Sequence, residues 1–111
     1  MMIACRELTL RAANGELKNP IHIFAPEKEQ DGAWFCRYEI GWPDKKSEMS
    51  IGGFDSAQSL VHALQIIGAE IYASAYHKSG ELFWDEAGKG YGFPVMGDVR
   101  DLLVGDDAKY H

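Results

Sequence analysis

The front half of the chain alternates with period two and the middle repeats with period 3.6. The switch falls at Gly52-Gly53-Phe54-Asp55-Ser56-Ala57-Gln58-Ser59-Leu60. Residues 3 to 12 alternate loosely, with Leu8 and Leu10 on one face and Arg11 on the other, and Asn14-Gly15 is a hairpin-turn dipeptide. Pro20 to Ala25 reads as a second strand closed by Pro26, where a proline removes no ladder hydrogen bond. After a polar loop ending in Asp31-Gly32, the pattern is clearest. Trp34, Cys36, Tyr38, Ile40 and Trp42 share one face, while Arg37 and Glu39 lie on the other with Phe35 among them. Pro43 to Lys46 makes a turn, and Glu48 to Phe54 is a fourth strand with Met49 and Ile51 on one face.

The helix is predicted to start at Asp55 or Ser56. Asp55 and Gln58 have the spacing of a capping box, in which each side chain satisfies a backbone amide that the first turn leaves without a partner. Leu60, Leu64, Ile67 and Ile71 form a stripe, widened by Ala63, Gly68 and Ala75, that suits a lid for the Trp34, Tyr38 and Ile40 face. Lys78 suits the negative end of the dipole and Gly80 a left-handed stop. Unbroken to Ser79, such a helix spans ~36 Å. Glu81 to Trp84 is a candidate fifth strand, Gly88 to Pro94 a glycine-rich loop, and Val99 to Val104 a short closing helix.

The expected fold is therefore α+β: an antiparallel meander of about four to five strands packed against one long helix, with a short irregular C-terminal extension. Residues 1–104 make one domain and residues 105–111 a frayed tail. With 111 residues, 46% hydrophobic and 25% charged, the chain is long enough for one core without metal or disulfide support.

Charge and cysteine usage narrow the function classes. A net charge of −6 argues against non-specific nucleic-acid binding, which needs a basic footprint. Residues 79–111 hold seven acids and three bases, a local balance of −4 that reads mainly as a solubility feature. No apolar run approaches the ~20 residues of a membrane span, and the first residues lack the apolar core of a secretory signal. Cys5 and Cys36 are then expected to be reduced, buried thiols of a cytoplasmic protein.

Candidate chemistry reduces largely to structural roles. Gly88-Lys89-Gly90-Tyr91-Gly92 resembles a phosphate loop, but no Lys-Ser or Lys-Thr pair follows and Pro94 stands where a helix would begin. His22, His62, His77 and His111 contain no pair at metal-binding helical spacing, leaving only a site assembled in space from Cys5, Cys36 and His22. Ser56, Ser59 and Asp55 serve the helix start, and Cys36 points with the core side chains. The expectation is no catalytic residue, no cofactor and no metal. The aromatic residues are more suggestive. Tyr72 and Tyr76, beside the main stripe, make with Val61 a second apolar face, covered either by the Leu82–Trp84 segment folding back or by a protein partner or second copy. Tyr72, Tyr76, Trp84 and Tyr91 are the candidate interaction surface.

Asp31-Gly32-Ala33-Trp34-Phe35-Cys36-Arg37-Tyr38-Glu39-Ile40, followed by Gly53-Phe54-Asp55-Ser56-Ala57-Gln58-Ser59-Leu60 and His62-Ala63-Leu64, resembles a family of small bacterial proteins of unknown function. In that family an Asp-Gly-aromatic strand precedes a helix opening Gly-x-Asp-x-x-Gln-Ala-Leu, and Ser59 stands where alanine is commoner. The likeness covers about residues 6 to 94 and implies a fold but no activity. By size and charge the chain is also similar to immunity proteins, which neutralise toxins by binding them. Three functions are weighed: a non-catalytic protein-binding module, a homo-oligomeric structural or regulatory domain, and a small-molecule-binding or enzymatic domain.

Overall fold

The computed structural model describes residues 1–94. The elements run β1 (Met2–Ala12), β2 (Gly15–Phe24), β3 (Glu27–Lys28), β4 (Trp34–Gly41), β5 (Lys46–Gly53), α1 (Ser56–Ala73), α2 (Ala75–Lys78) and β6 (Leu82–Phe83). All six strands belong to one antiparallel sheet. Its spine is the expected meander β1-β2-β4-β5, and the two-residue strands β3 and β6 add to β4 and β1. The segment Glu81 to Trp84 thus supplies a strand, with Leu82 opposite Leu10. The first hairpin closes one residue earlier than its Asn-Gly pair suggests. Ala12 pairs with Gly15, which takes the positive φ of 127° itself.

Period two placed the sheet faces correctly. Leu8, Ile21, Ile23, Cys36, Tyr38, Ile40 and Trp42 are buried on the side that α1 covers, with Leu82, Tyr91 and Phe93 completing the core from the C-terminal extension. Arg37 and Glu39 face water, and the Arg37 guanidinium lies 3.8 Å from the centre of the Phe24 ring. Arg37 and Lys46 both reach Glu39, and the bonded Arg37 holds that carboxyl below the usual carboxylate range.

The helix departs from expectation in two ways. Its buried line runs through Ser59, Ala63, Ile67 and Ile71, with Gly68 and Tyr72 beside it; Leu60 and Leu64 are only half-buried flankers and Ala75 is exposed. The core line is therefore one residue out of phase with the leucines at its N-terminal end. The small side chains of Ser59 and Ala63 let α1 approach the sheet closely there. A Cβ on Gly53 would come 2.4 Å from the Ser59 amide nitrogen, so this glycine is required for close packing rather than for flexibility.

The helix is also not continuous. Ser74 adopts an extended conformation (φ −73°, ψ 150°) between α1 and α2. Its hydroxyl donates to the Ile71 carbonyl at 2.7 Å and accepts from the His77 amide at 3.1 Å, so one side chain ends one helix and caps the next. Gly80, at φ 79°, stops the second helix as its position suggests. At the front end the Asp55 carboxylate accepts from the Gln58 amide at 2.7 Å. The Gln58 side chain reaches back one residue further than in a standard capping box, to the Phe54 amide at 2.6 Å. The expected closing helix at 99–104 and the tail at 105–111 lie outside the described residues.

Candidate functional site

The break at Ser74 decides where the predicted aromatic surface goes. Before it, Tyr72 is 3% exposed; with Tyr91, 4% exposed, it belongs to the core rather than to the surface. Their rings meet edge to face, with centres 5.3 Å apart, and His77 packs on both. His77 Nδ1 and the Tyr91 hydroxyl lie 2.7 Å apart, and burial, then the neighbouring Lys78, lowers the imidazole below its ordinary value. The second cover on the helix is thus intramolecular, and Val61 stands apart from it, exposed.

The glycine-rich loop serves that cover. Arg6 of β1 donates to the Tyr91 carbonyl at 3.1 Å, with its guanidinium 3.9 Å from the centre of the Trp84 ring and 4.9 Å from that of Phe93. A Cβ on Gly92 would come 2.7 Å from both Arg6 and Trp84, and its φ of 80° disfavours any other residue. Trp84 is partly buried by this clasp, and of the four aromatic candidates only it and Tyr76 keep appreciable surface.

Tyr76, beyond the break, turns to the β4–β5 end of the sheet. Its ring stacks on Trp42 with centres 4.8 Å apart and planes 17° apart, and its hydroxyl donates to Asp44. Beside it Glu70 accepts from the Tyr38 hydroxyl at 2.6 Å and from the Trp42 indole at 3.1 Å. Burial, then the bonded Glu70, pushes the Tyr38 phenol well above its ordinary range and fixes it as a donor. An open cleft of about 650 Å³ lies here between the β4–β5 turn and the helix break. Both carboxylate oxygens of Glu70 satisfy donors that the core has buried, which makes it a tie between helix and sheet. Its sequence signal is an acid one turn before a Ser-x-x-His cap, on a flank otherwise apolar or small.

The cysteines and histidines do not converge. Cys5 and His22 are cross-strand neighbours away from the core, whereas Cys36 is buried on the opposite face and donates to the Phe24 carbonyl at 3.3 Å. Cys5 is exposed rather than buried, and burial raises the Cys36 thiol, which keeps it protonated. Among the described residues no group of three His, Cys, Asp or Glu side chains is placed to hold a metal ion, and no helix is long and apolar enough to cross a membrane.

A surface with unsatisfied strand-pairing potential lies along β5. This strand pairs with β4 from Lys46 to Gly53 without a bulge, and among the described residues its other edge has no strand partner. His62 closes one end of that edge by donating to the Gly52 carbonyl at 3.2 Å. Met49 is on the core-facing side, opposite Tyr38, yet 44% exposed, and Phe54, just past the strand, is 92% exposed. Sequence pattern identified Met49 as inward-facing but gave no sign that the helix stops short of covering it.

A family model for a domain of unknown function, DUF6968, matches residues 4–95. No curated protein and no solved structure matches the chain.

Proposed function

We propose a function for this chain, which belongs to the DUF6968 family, from its geometry: it is a non-catalytic protein-binding module that docks through the outer edge of β5. One observation carries this reading. Among the described residues, this eight-residue strand is paired along one side only, with a 92%-exposed phenylalanine at its end. Soluble domains usually blunt such an edge with a proline, a bulge or inward-pointing charge, because its backbone groups template another strand. β5 has no proline and no register shift, and its one lysine stands at its first position. Strand addition supplies affinity through main-chain hydrogen bonds and specificity through alternate side chains. The polar cleft at Trp42 and Glu70 favours catalysis less, since its carboxylate is already committed to two core donors.

The test is site-specific photo-crosslinking in cells, with the reactive group placed at position 49, at position 54, or at Glu16 on the distant hairpin. Protein adducts at 49 and 54, competed away by untagged wild-type chain but not by Phe54→Asp, are the expected result. Labelling at Glu16 equal to that at 49 and 54 would remove the edge as a docking element.

A further inference from the structure

Resting on the β5-edge reading, we infer that the partner strand is β5 of a second copy of this chain, paired antiparallel about a two-fold axis centred on Met49.

The core itself points to a continuation across this edge. Alternation puts Ser47, Met49, Ile51 and Gly53 of β5 on the side facing α1. A methionine on that side should be covered, yet Met49 keeps 44% of its surface because α1 rests over β4 and β5 and extends no further. The flank of α1 toward this edge carries His62, Ile66, Ala69 and Ala73 at i, i+4, i+7 and i+11, a row that narrows from two larger side chains to two alanines. The His62 bond to Gly52 fixes that flank over the end of β5. An identical sheet edge brought alongside, with its helix on the same face, extends both layers at once.

The spacing agrees. Strands lie ~4.8 Å apart, so helices centred over the β4–β5 gap of two edge-paired copies have axes about 10 Å apart. That is the upper end of the ~8–10 Å at which helices pack, a separation that leaves room for Ile66 and His62 on the facing flanks. The two-fold runs perpendicular to the sheet, the isologous arrangement commonest among homodimers.

Side chains then select the register. To keep both helices on one face, inward residues must oppose inward residues, so the axis passes through a residue and not between two. Centred on Glu48, the pairing sets that carboxylate against its own copy, which like-charge repulsion disfavours. Centred on Ser50, it sets Gly52, whose carbonyl His62 already occupies, inside the ladder opposite Glu48, whereas centred on Met49 that glycine falls only at the ladder's last pair. Centred on Met49, the pairs are Ser47 with Ile51 and Glu48 with Ser50 of the partner, with Met49 on its own copy. Lys46 then falls opposite Gly52, so no like charges face each other.

The experiment measures the mass of the full chain by light scattering across a concentration series, alongside oxidation of a Met49→Cys variant in a Cys5→Ser background. Directly opposed positions in an antiparallel pair have Cβ atoms within ~5 Å, close to disulfide range. The expected results are a dimer, rapid disulfide crosslinking of the Met49→Cys variant, and no crosslinking of Leu17→Cys, an exposed control on the first hairpin. Met49→Lys, which sets two ammonium groups against each other at a half-exposed position, is expected to weaken the dimer at least tenfold with its circular-dichroism spectrum unchanged. A chain that stays monomeric to millimolar concentration overturns the inference, as does a dimer that neither crosslinks at position 49 nor responds to Met49→Lys. A monomer whose positions 49 and 54 still label another protein removes the second copy and keeps the docking edge. A monomer without such labelling removes both.

Discussion

Removing the carboxylate of Glu70 tests how the helix is tied to the sheet. In Glu70→Leu the Tyr38 hydroxyl, whose residue is 0% exposed, and the Trp42 indole, whose residue is 6% exposed, lose their acceptor together. Hydrogen bonds to a charged group contribute ~1.5–3 kcal/mol each, and the lower figure applies because Glu70 is itself partly exposed. The variant should therefore lose ~3 kcal/mol. At ~2.1 cal/mol/K per residue of unfolding entropy, a 111-residue chain then melts about 13 °C lower. Glu70→Gln, which keeps one carbonyl acceptor, should lose about half as much. Differential scanning calorimetry supplies Tm, and a double-mutant cycle with Tyr38→Phe isolates the pair. In the Tyr38→Phe background one stranded donor is already gone, so Glu70→Leu should cost ~1.5 kcal/mol less there. A fall in Tm below about 4 °C on that entropy scale, or strict additivity in the cycle, would refute the tie.

Ile67→Ala, at a fully buried position, is expected to cost ~3 kcal/mol in urea denaturation, and Leu64→Ala ~1 kcal/mol less because its side chain is only partly buried. Equal losses would put the leucine at the centre of the helix-sheet contact. His77 gives a pH signature. Its folded-state value lies below the ordinary 6.5, so the unfolded chain takes up a proton first as pH falls. That stability is fully present above pH 6.5 and is lost as pH drops through the lowered folded value. Tm followed from about pH 7.5 to about pH 5 should therefore fall more steeply in the wild type than in His77→Gln, and parallel curves would show that the imidazole is not held neutral.

Much of the fold was legible because its signals are local. Alternation through Trp34 to Trp42 fixed which face of β4 is buried, Gly80 marked where the helical segment ends, and Asp55 with Gln58 marked where it begins. The interruption at Ser74 was not evident, since a serine inside an apolar periodic run is tolerated in many helices. It caps here because its hydroxyl serves both Ile71 and His77. That local choice separated Tyr72 from Tyr76, burying one against Tyr91 and sending the other to Trp42. The aromatic residues first grouped as one surface therefore divide between the core (Tyr72, Tyr91), the Arg6 clasp (Trp84) and the rim of a cleft (Tyr76).

By itself the sequence determined which residues avoid water and with what period, because side-chain direction alternates along a strand and repeats along a helix whatever the surroundings. Only the tertiary structure decided how far each buried face is covered. Met49 and Tyr38 lie opposite each other in register on the same side of the sheet, and one is 44% exposed and the other 0%. The difference arises because Tyr38 has paired strands on both sides, β2 and β5, whereas Met49 on the edge strand has one strand neighbour among the described residues and a helix that shields only part of it. Coverage depends on where α1 comes to rest, a property of the whole packing that no local pattern contains.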